Sequence, residues 1–91
     1  MFNDLNFLLL FEEMLLAEKL SSSNTIRAYK SDIKSYILFI NKEYNISVSK
    51  VQTKHISEWL ISLSNNAVNR NTYLRKLSSI KEFYKFLYID G

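Results

Sequence analysis

The chain has 91 residues, contains no proline, and has its only glycine, Gly91, at the last position. Glycine and proline are the residues that most strongly interrupt regular secondary structure. Without them, the boundaries between elements must be marked by polar clusters and by residues that cap helices. The positions of the serine and asparagine clusters therefore predict where the helices begin and end.

Two segments in the first half of the chain repeat apolar residues at helical spacing. A first helix is predicted from about Asp4 to Lys19, and it is apolar on more than one side, so one side is left to contact a partner. A second helix is predicted to begin after Ser22, an N-cap, and to end at about Lys42. The helical repeat of this segment is sampled by Leu5, Leu8, Leu9, Glu12, Leu15 and Leu16, and a second stripe consists of Phe7, Leu10, Phe11 and Met14. The inward positions of the second helix are Ile26, Tyr29, Ile33, Tyr36, Ile37 and Ile40.

Two further helices are predicted in the second half. The connection after the second helix should be pinned to the core by Ile46, Val48 and Val51. Thr53 is the predicted N-cap of a short third helix, from about Lys54 to Ser64, and Asn69 is the predicted N-cap of a fourth, Arg70 to Tyr88. The inward residues of these two helices are Ile56, Trp59, Leu60 and Leu63, and Tyr73, Leu77, Ile80, Tyr84 and Leu87, with Leu74, Phe83 and Phe86 widening the last stripe. Four helices without a strand pattern predict an all-α bundle.

Length and composition are those of one small domain, residues 1–91, able to bury somewhat over ~60% of the surface of its unfolded chain. There is no cysteine, so a disulfide framework and a thiolate metal site are excluded. The first twenty residues lack the basic start and the cleavage site of a signal peptide, and no apolar run is long enough to span a bilayer. We interpret the chain as part of a cytoplasmic protein that does not enter the membrane.

No catalytic site can be assembled from these residues. His55 is the only histidine, without metal-ligand spacing around it, and we interpret it as a partly exposed residue in the first turn of the third helix. Glu12 and Glu13 are adjacent, so their carboxylates diverge around a helix. A glycine-rich phosphate loop cannot form with one terminal glycine. We therefore expect no catalytic residue, no metal, no cofactor and no small-molecule ligand, and we interpret Tyr29, Tyr36, Tyr73 and Tyr84 as core residues.

The charge is divided unevenly along the chain. Residues 1–20 have a net charge of −3, whereas residues 21–91 carry eleven Lys or Arg against five Asp or Glu, a net of +6. The second and fourth helices each place small polar and basic residues opposite the apolar stripe, an arrangement suited to a DNA backbone and groove. Solvated helix faces with ordinary caps would give the same pattern, so the residues alone leave both interpretations open.

Two longer motifs are more specific. The segments "LLAEKLSSSNTIRAYKSDIKSYILFI" and "ISLSNNAVNRNTYLRKLSSIKEFYKFL" resemble the two halves of the core-binding domain of tyrosine recombinases, the Xer-type and phage-integrase family. Between them, "VQTKHISEWLISL" is similar to the short third helix of that family. The first motif is matched by Asn24, Thr25, Ile26, Arg27, Ala28, Tyr29, Asp32 and Ile33. The second is matched by Thr72, Arg75, Leu77, Ser78, Ile80, Lys81, Phe83, Tyr84, Phe86 and Leu87.

The resemblance implies a SAM-like orthogonal four-helix bundle that forms one half of a C-shaped clamp on double-stranded DNA. Arg27 and Arg75 are the best candidates for contacts to phosphates or base edges, and Thr25 and Thr72 for phosphates at the helix starts. Asp32 is expected to form a structural salt bridge or an interhelical hydrogen bond instead. The complete set of DNA-binding candidates is Asn24, Thr25, Arg27, Lys30, Ser31, Lys34, Asn71, Thr72, Arg75, Lys76 and Ser79, with Lys81 a weaker one.

The resemblance also implies partners. The family's catalytic domain, with its tyrosine nucleophile, follows the segment that matches here, so we expect an excised N-terminal domain or a truncated gene product that is not itself an enzyme. The first helix is expected to pack protomers in a homo- or hetero-tetramer on DNA. Two departures from the family pattern are "LSSS" after Lys19, where Gly-Leu-Ser is common, and Asn71, where a basic residue is common. The alternative hypothesis is a SAM-like protein-interaction module that does not bind DNA.

Overall fold

The structure is a computed structural model that describes residues 4–18 and 22–90. Within these ranges it is all α, with no strand, which confirms the predicted fold class. The elements are α1 (Asp4–Glu18), α2 (Ser23–Tyr44), a 3-10 turn (Val48–Lys50), α3 (Thr53–Asn65), α4 (Arg70–Lys85) and a π-helical turn (Phe86–Asp90) that continues α4. The predicted end of the first helix at Lys19 lies outside the described residues. The first two residues of the "LSSS" segment, Leu20 and Ser21, also lie outside them.

The predicted caps of α2 and α4 are confirmed. The Ser22 hydroxyl accepts the backbone N–H of Thr25 at 3.2 Å, and the Asn69 side chain accepts that of Thr72 at 2.9 Å. Both side chains satisfy an N–H that the first turn of a helix leaves unpaired. At the other end of α2, Asn45 adopts a left-handed conformation with φ of 53°, which asparagine tolerates better than most residues. The helix therefore ends at Tyr44, slightly later than predicted.

The start of α3 differs from the prediction. Thr53 is the first helical residue, and Gln52 occupies the N-cap position. The backbone N–H of Gln52 donates to Nδ1 of His55 at 2.9 Å, so a histidine takes the place that Glu or Gln has in a capping box. His55 is consequently buried, against the ring of Tyr44 at a centroid distance of 4.5 Å, and the expectation of a partly exposed histidine was wrong.

The core lies between α1, α2 and α4, and α3 adds Trp59, whose ring lies 5.1 Å from that of Tyr36. The rings of Phe11 and Phe83 meet edge to face with centroids 5.4 Å apart, which joins α1 to α4. Of the first helix, Leu8, Phe11 and Leu15 are buried, whereas Leu5, Leu9, Leu10 and Leu16 are each about half exposed. Leu74, predicted to widen the inward stripe of α4, is exposed because it lies on the outer side of that helix. The buried apolar residues are Leu8, Phe11, Leu15, Ile26, Ile33, Tyr36, Ile37, Ile40, Val48, Trp59, Ile80, Phe83 and Phe86.

Two tyrosines connect α2 and α4 to the segment before α3. The Tyr84 hydroxyl donates to the backbone carbonyl of Val48 at 2.9 Å, and the Tyr36 hydroxyl lies 2.6 Å from that of Tyr84. Because Tyr84 donates its only hydroxyl proton to Val48, Tyr36 is the donor in the second bond. Val48 is fully buried and Ile46 and Val51 are partly buried, which confirms that this connection is pinned to the core.

These tyrosines predict a loss of stability in alkaline solution. Burial raises the pKa of Tyr36 to about 12 and raises that of Tyr84 as well. An unfolded tyrosine ionises near its ordinary pKa of about 10, so above that pH the unfolded chain releases protons that the folded chain retains. The contribution is complete below pH 10, and we expect about 2–3 kcal/mol from Tyr36 to be lost as the pH rises to 12.

Urea unfolding at pH 8, 10, 11 and 12 measures this loss. Tyr36→Phe is the control, because it keeps the ring and removes the ionisable group. The free energy of unfolding of this variant should fall less steeply with pH than that of the wild type. Equal pH dependence of the two proteins would contradict the assignment to Tyr36.

Candidate nucleic-acid interface

A buried carboxylate joins α2 to α4. Asp32 of α2 is 1% exposed, and its two oxygens accept hydrogen bonds from Nε and Nη2 of Arg75, both at 2.9 Å. Nζ of Lys76 donates to the same carboxylate at 3.1 Å. The hydrogen bonds with Asp32 are the main reason that the pKa of the Arg75 guanidinium lies above its ordinary value. The expectation that Asp32 makes a structural salt bridge is confirmed.

Four predicted site residues of α2 are exposed. Asn24, Arg27, Ser31 and Lys34 follow one another at intervals of three or four residues, so they share one side of the helix. Nη2 of Arg27 donates to Oδ1 of Asn24 within the first two turns. This side of α2 therefore presents two cations separated by short polar side chains.

Two other predicted residues of α2 are placed differently. Thr25 is partly buried, and its hydroxyl lies 3.1 Å from that of Ser22, within the cap of the helix. Lys30 forms an ion pair with Glu12 of α1 at 3.2 Å. The structure thus connects Lys30 to α1.

The predicted residues of α4 fall into exposed and buried groups. Asn71 is exposed and Thr72 is partly buried. The Arg75 side chain is 42% exposed although it contacts Asp32, whereas that of Lys76 is only 16% exposed. Of these two cations, Arg75 is therefore the more accessible one.

Ser79 requires a correction. It is 0% exposed, and its hydroxyl donates to the backbone carbonyl of Lys76 at 2.8 Å, so it does not lie on the surface. The exposed serine is its neighbour Ser78, which follows Asn71 and Arg75 on the outer side of the helix. Arg70, an exposed cation in the first turn of α4, was not among the predicted residues. Its position directly before Asn71 was the signal that could have identified it.

We define the α2–α4 face as the exposed predicted residues of these two helices. Three of them are cations, and none is acidic. Three short polar side chains separate the cations. The members are Asn24, Arg27, Ser31, Lys34, Asn71 and Arg75.

The remaining surface offers less chemistry. An open apolar groove of about 400 Å³ lies between the start of α3 and the end of α4, where Val51, Ile56, Leu77 and Tyr84 line it. Lys81, the weaker DNA-binding candidate, also lines this groove. In the described ranges, no three His, Cys, Asp or Glu side chains are placed to hold a metal ion. None of the helices there has the length and apolar character that crossing a membrane requires.

Comparison with protein families gives a match over most of the chain. Residues 8–91 match the family described as phage integrase, N-terminal SAM-like domain. The chain belongs to this family. Its Asp32–Arg75 contact is thus a contact between the second and fourth helices of a phage integrase SAM-like domain.

The curated relatives are considerably longer proteins. The chain is 35% identical over 83 residues to the tyrosine recombinase XerD of Rickettsia conorii, covering 91% of this chain and 27% of the relative. It is 32% identical over 81 residues to XerD of Agrobacterium fabrum, covering 89% and 24%. To the tyrosine recombinase XerC of Oceanobacillus iheyensis it is 31% identical over 81 residues, covering 89% and 27%.

The chain therefore spans about a quarter of the length of the curated relatives it matches. These matches confirm the resemblance to tyrosine recombinases and place this chain in their N-terminal part. No solved structure gives a significant match.

Proposed function

We propose that this domain binds double-stranded DNA through the α2–α4 face, as the N-terminal domain of a tyrosine recombinase or integrase. The observation that carries the proposal is the placement of Arg27, Lys34 and Arg75 on two helices joined at Asp32. Short polar residues between the cations let a helix approach a DNA groove or backbone closely. The net charge of +6 in residues 21–91 favours a polyanion as the partner.

In this proposal the domain forms one half of a clamp, and the catalytic domain of the full-length protein forms the other. Recombination or integration of DNA would be the activity of that whole protein, and this domain would supply affinity and orientation. Thr25 and Thr72, in the first turns of α2 and α4, would bind phosphate, because a helix N-terminus favours an anion. Lys30 and Lys76 would contribute to the electrostatic potential more than to direct contacts, since each already pairs with a carboxylate.

The first test is the salt dependence of DNA binding. With four or five phosphate contacts, log K against log salt should have a slope near −4 for this chain and a duplex of about 30 base pairs. Nonspecific Kd values should lie on the order of 10⁻⁴ to 10⁻⁶ M at physiological salt. Fluorescence anisotropy of the labelled duplex at several salt concentrations measures both quantities. Absence of binding at low salt, with helicity intact by circular dichroism, would contradict the proposal.

A specific observation also supports a role in protein contacts. Leu5, Leu9 and Leu16 are half exposed along one side of α1, and Leu10 lies beside them. Exposed apolar side chains in such a row are typical of a surface that packs against protein. We propose that this side of α1 joins protomers in a tetramer on DNA. The alternative, an interaction module that binds no DNA, uses the same leucines.

Sedimentation velocity with and without the duplex distinguishes these two roles. Assembly that requires DNA supports the tetramer, and self-association without DNA binding supports the alternative. Monomers under both conditions would contradict a role of α1 in assembly.

A further inference from the structure

We propose that Asp32 is a positioning residue, which holds Arg75 in one orientation so that the guanidinium is ready to bind a DNA phosphate. This inference rests on the proposed DNA binding and specifies how one residue of the α2–α4 face acts. It also changes the interpretation of Asp32. Without this role, its carboxylate would only weaken DNA binding, because it neutralises positive charge that attracts the phosphates.

The geometry of the pair supports this role. An arginine side chain has five N–H groups in one plane, and two of them, one on Nε and one on Nη2, point at the Asp32 oxygens. Three N–H groups remain, two on Nη1 and one on Nη2, and 42% of the Arg75 side chain is exposed. The free Nη1–Nη2 edge is the one that can bind a phosphate through two parallel hydrogen bonds.

Burial fixes the orientation. Asp32 is 1% exposed and stands next to the buried Ile33 in α2, so its carboxylate cannot follow Arg75 into solvent. A flexible surface arginine must lose rotamer freedom when it binds, whereas Arg75 has lost part of that freedom on folding. Lys76 donates to the same carboxylate, so the cluster of one acid and two bases retains a net positive charge.

The surroundings of the pair also suit a backbone contact. On α2, one turn before Asp32 is Ala28, which has only a methyl group. On α4, Asn71 precedes Arg75 by four residues and Ser78 follows it by three, so short side chains flank the guanidinium along its own helix. Short side chains thus precede and follow Arg75 along α4, and another lies one turn before its partner Asp32 on α2.

The test compares two substitutions that change the net charge equally. Asp32→Asn removes the buried negative charge, and Glu43→Gln removes an exposed one near the end of α2. If charge alone mattered, Asp32→Asn would bind the duplex at least as tightly as Glu43→Gln, because the lost charge lies next to two cations. If Asp32 positions Arg75, its removal should weaken binding about 3- to 10-fold relative to Glu43→Gln, because Arg75 then has to be ordered when DNA binds.

A second pair of variants keeps the inference testable if Asp32→Asn does not fold. Arg75→Lys keeps the charge and leaves Lys76 on Asp32, but a lysine cannot bridge a carboxylate and a phosphate with one planar group. We expect an unchanged salt slope and a Kd about 3- to 10-fold weaker than that of the wild type. Arg27→Lys, at an exposed arginine that donates to Asn24 of the same helix, should change Kd less.

Each outcome of the anisotropy titrations has a distinct meaning. Weaker binding by Asp32→Asn and Arg75→Lys, in proteins that circular dichroism shows to be folded, supports the inference. Binding of Asp32→Asn as tight as that of Glu43→Gln, or equal effects of the two Arg→Lys substitutions, would overturn it and leave DNA binding intact. If the wild type shows no salt-dependent binding, the proposed function and this inference both fail.

Discussion

Replacement of Asp4 by alanine should lower the free energy of unfolding by about 3–5 kcal/mol, because three donors lose their acceptor. Asp4 is 1% exposed at the start of α1, and its carboxylate accepts hydrogen bonds from Asn41 near the end of α2 and from two groups of the connection between α2 and α3. Ser47 Oγ donates to Oδ1 at 2.7 Å, and Asn41 Nδ2 and the Val48 N–H donate to Oδ2 at 2.8 and 2.9 Å.

The size of the effect follows from burial. The Val48 N–H is enclosed by the core, so water cannot replace the lost acceptor, and an unsatisfied buried donor costs about 1–3 kcal/mol. A domain of this length has a total stability of roughly 5–14 kcal/mol, so the loss would be a large part of it. α1 would then lose the contact that fixes its start against the end of α2.

Urea unfolding monitored by circular dichroism measures the change. Asp4→Asn tests the direction of the hydrogen bonds, because it keeps the size of the side chain but turns a donor toward other donors, and it should also destabilise. Glu13→Ala, exposed on the same helix and equal in charge change, should stay within about 0.5 kcal/mol of the wild type. An Asp4→Ala protein as stable as Glu13→Ala would show that these hydrogen bonds contribute nothing net.

Whether a feature could be predicted from the sequence depended on how far apart along the chain its interacting residues are. The caps Ser22 and Asn69 bond to residues three positions later, so the local pattern was sufficient to place the starts of α2 and α4. The apolar period likewise predicted most of the core. The histidine cap of α3 was missed although it is local, because the usual pattern has Glu or Gln where His55 stands.

Interactions between residues far apart in the sequence could not be predicted from local patterns. Nothing in the local pattern connects Asp4 with Val48, 44 positions away, or predicts which cation pairs with Asp32, 43 positions before Arg75. The choice between Ser78 and Ser79 depended on the rotation of α4 about its axis, and a one-residue difference moves a side chain from the surface to the core. The helices of the candidate site were therefore predictable, but its exposed members were not.

Replacement of both Arg27 and Arg75 by alanine should weaken binding to the duplex on the order of 10- to 100-fold at 0.1 M salt. Each cation that neutralises a phosphate contributes about 0.9 to the slope of log K against log salt, so the slope should become less negative by about 2. The weakening should be nearly independent of DNA sequence if both residues contact phosphates, and sequence-dependent if either reads a base edge.

The buried Asp32 makes the interpretation of this variant depend on its folding. Without Arg75 the carboxylate keeps only Lys76, so the double variant should be less stable than the wild type, and its helicity must be measured at the temperature of the titration. Arg27→Ala alone avoids this difficulty, because Arg27 donates its hydrogen bond to Asn24, an exposed residue of the same helix. It should shift the slope by about 1 with stability almost unchanged.

A matched control separates the α2–α4 face from the overall charge. Lys50→Ala with Lys54→Ala removes the same two charges from exposed positions near the start of α3, beyond the C-terminal end of α2. If DNA lies against the α2–α4 face, this control should retain the slope of the wild type and most of its affinity, because charges farther than a Debye length of about 10 Å are screened. Equal losses in the two double variants would mean that DNA senses only the net charge of the domain, and the α2–α4 face would no longer be its binding site.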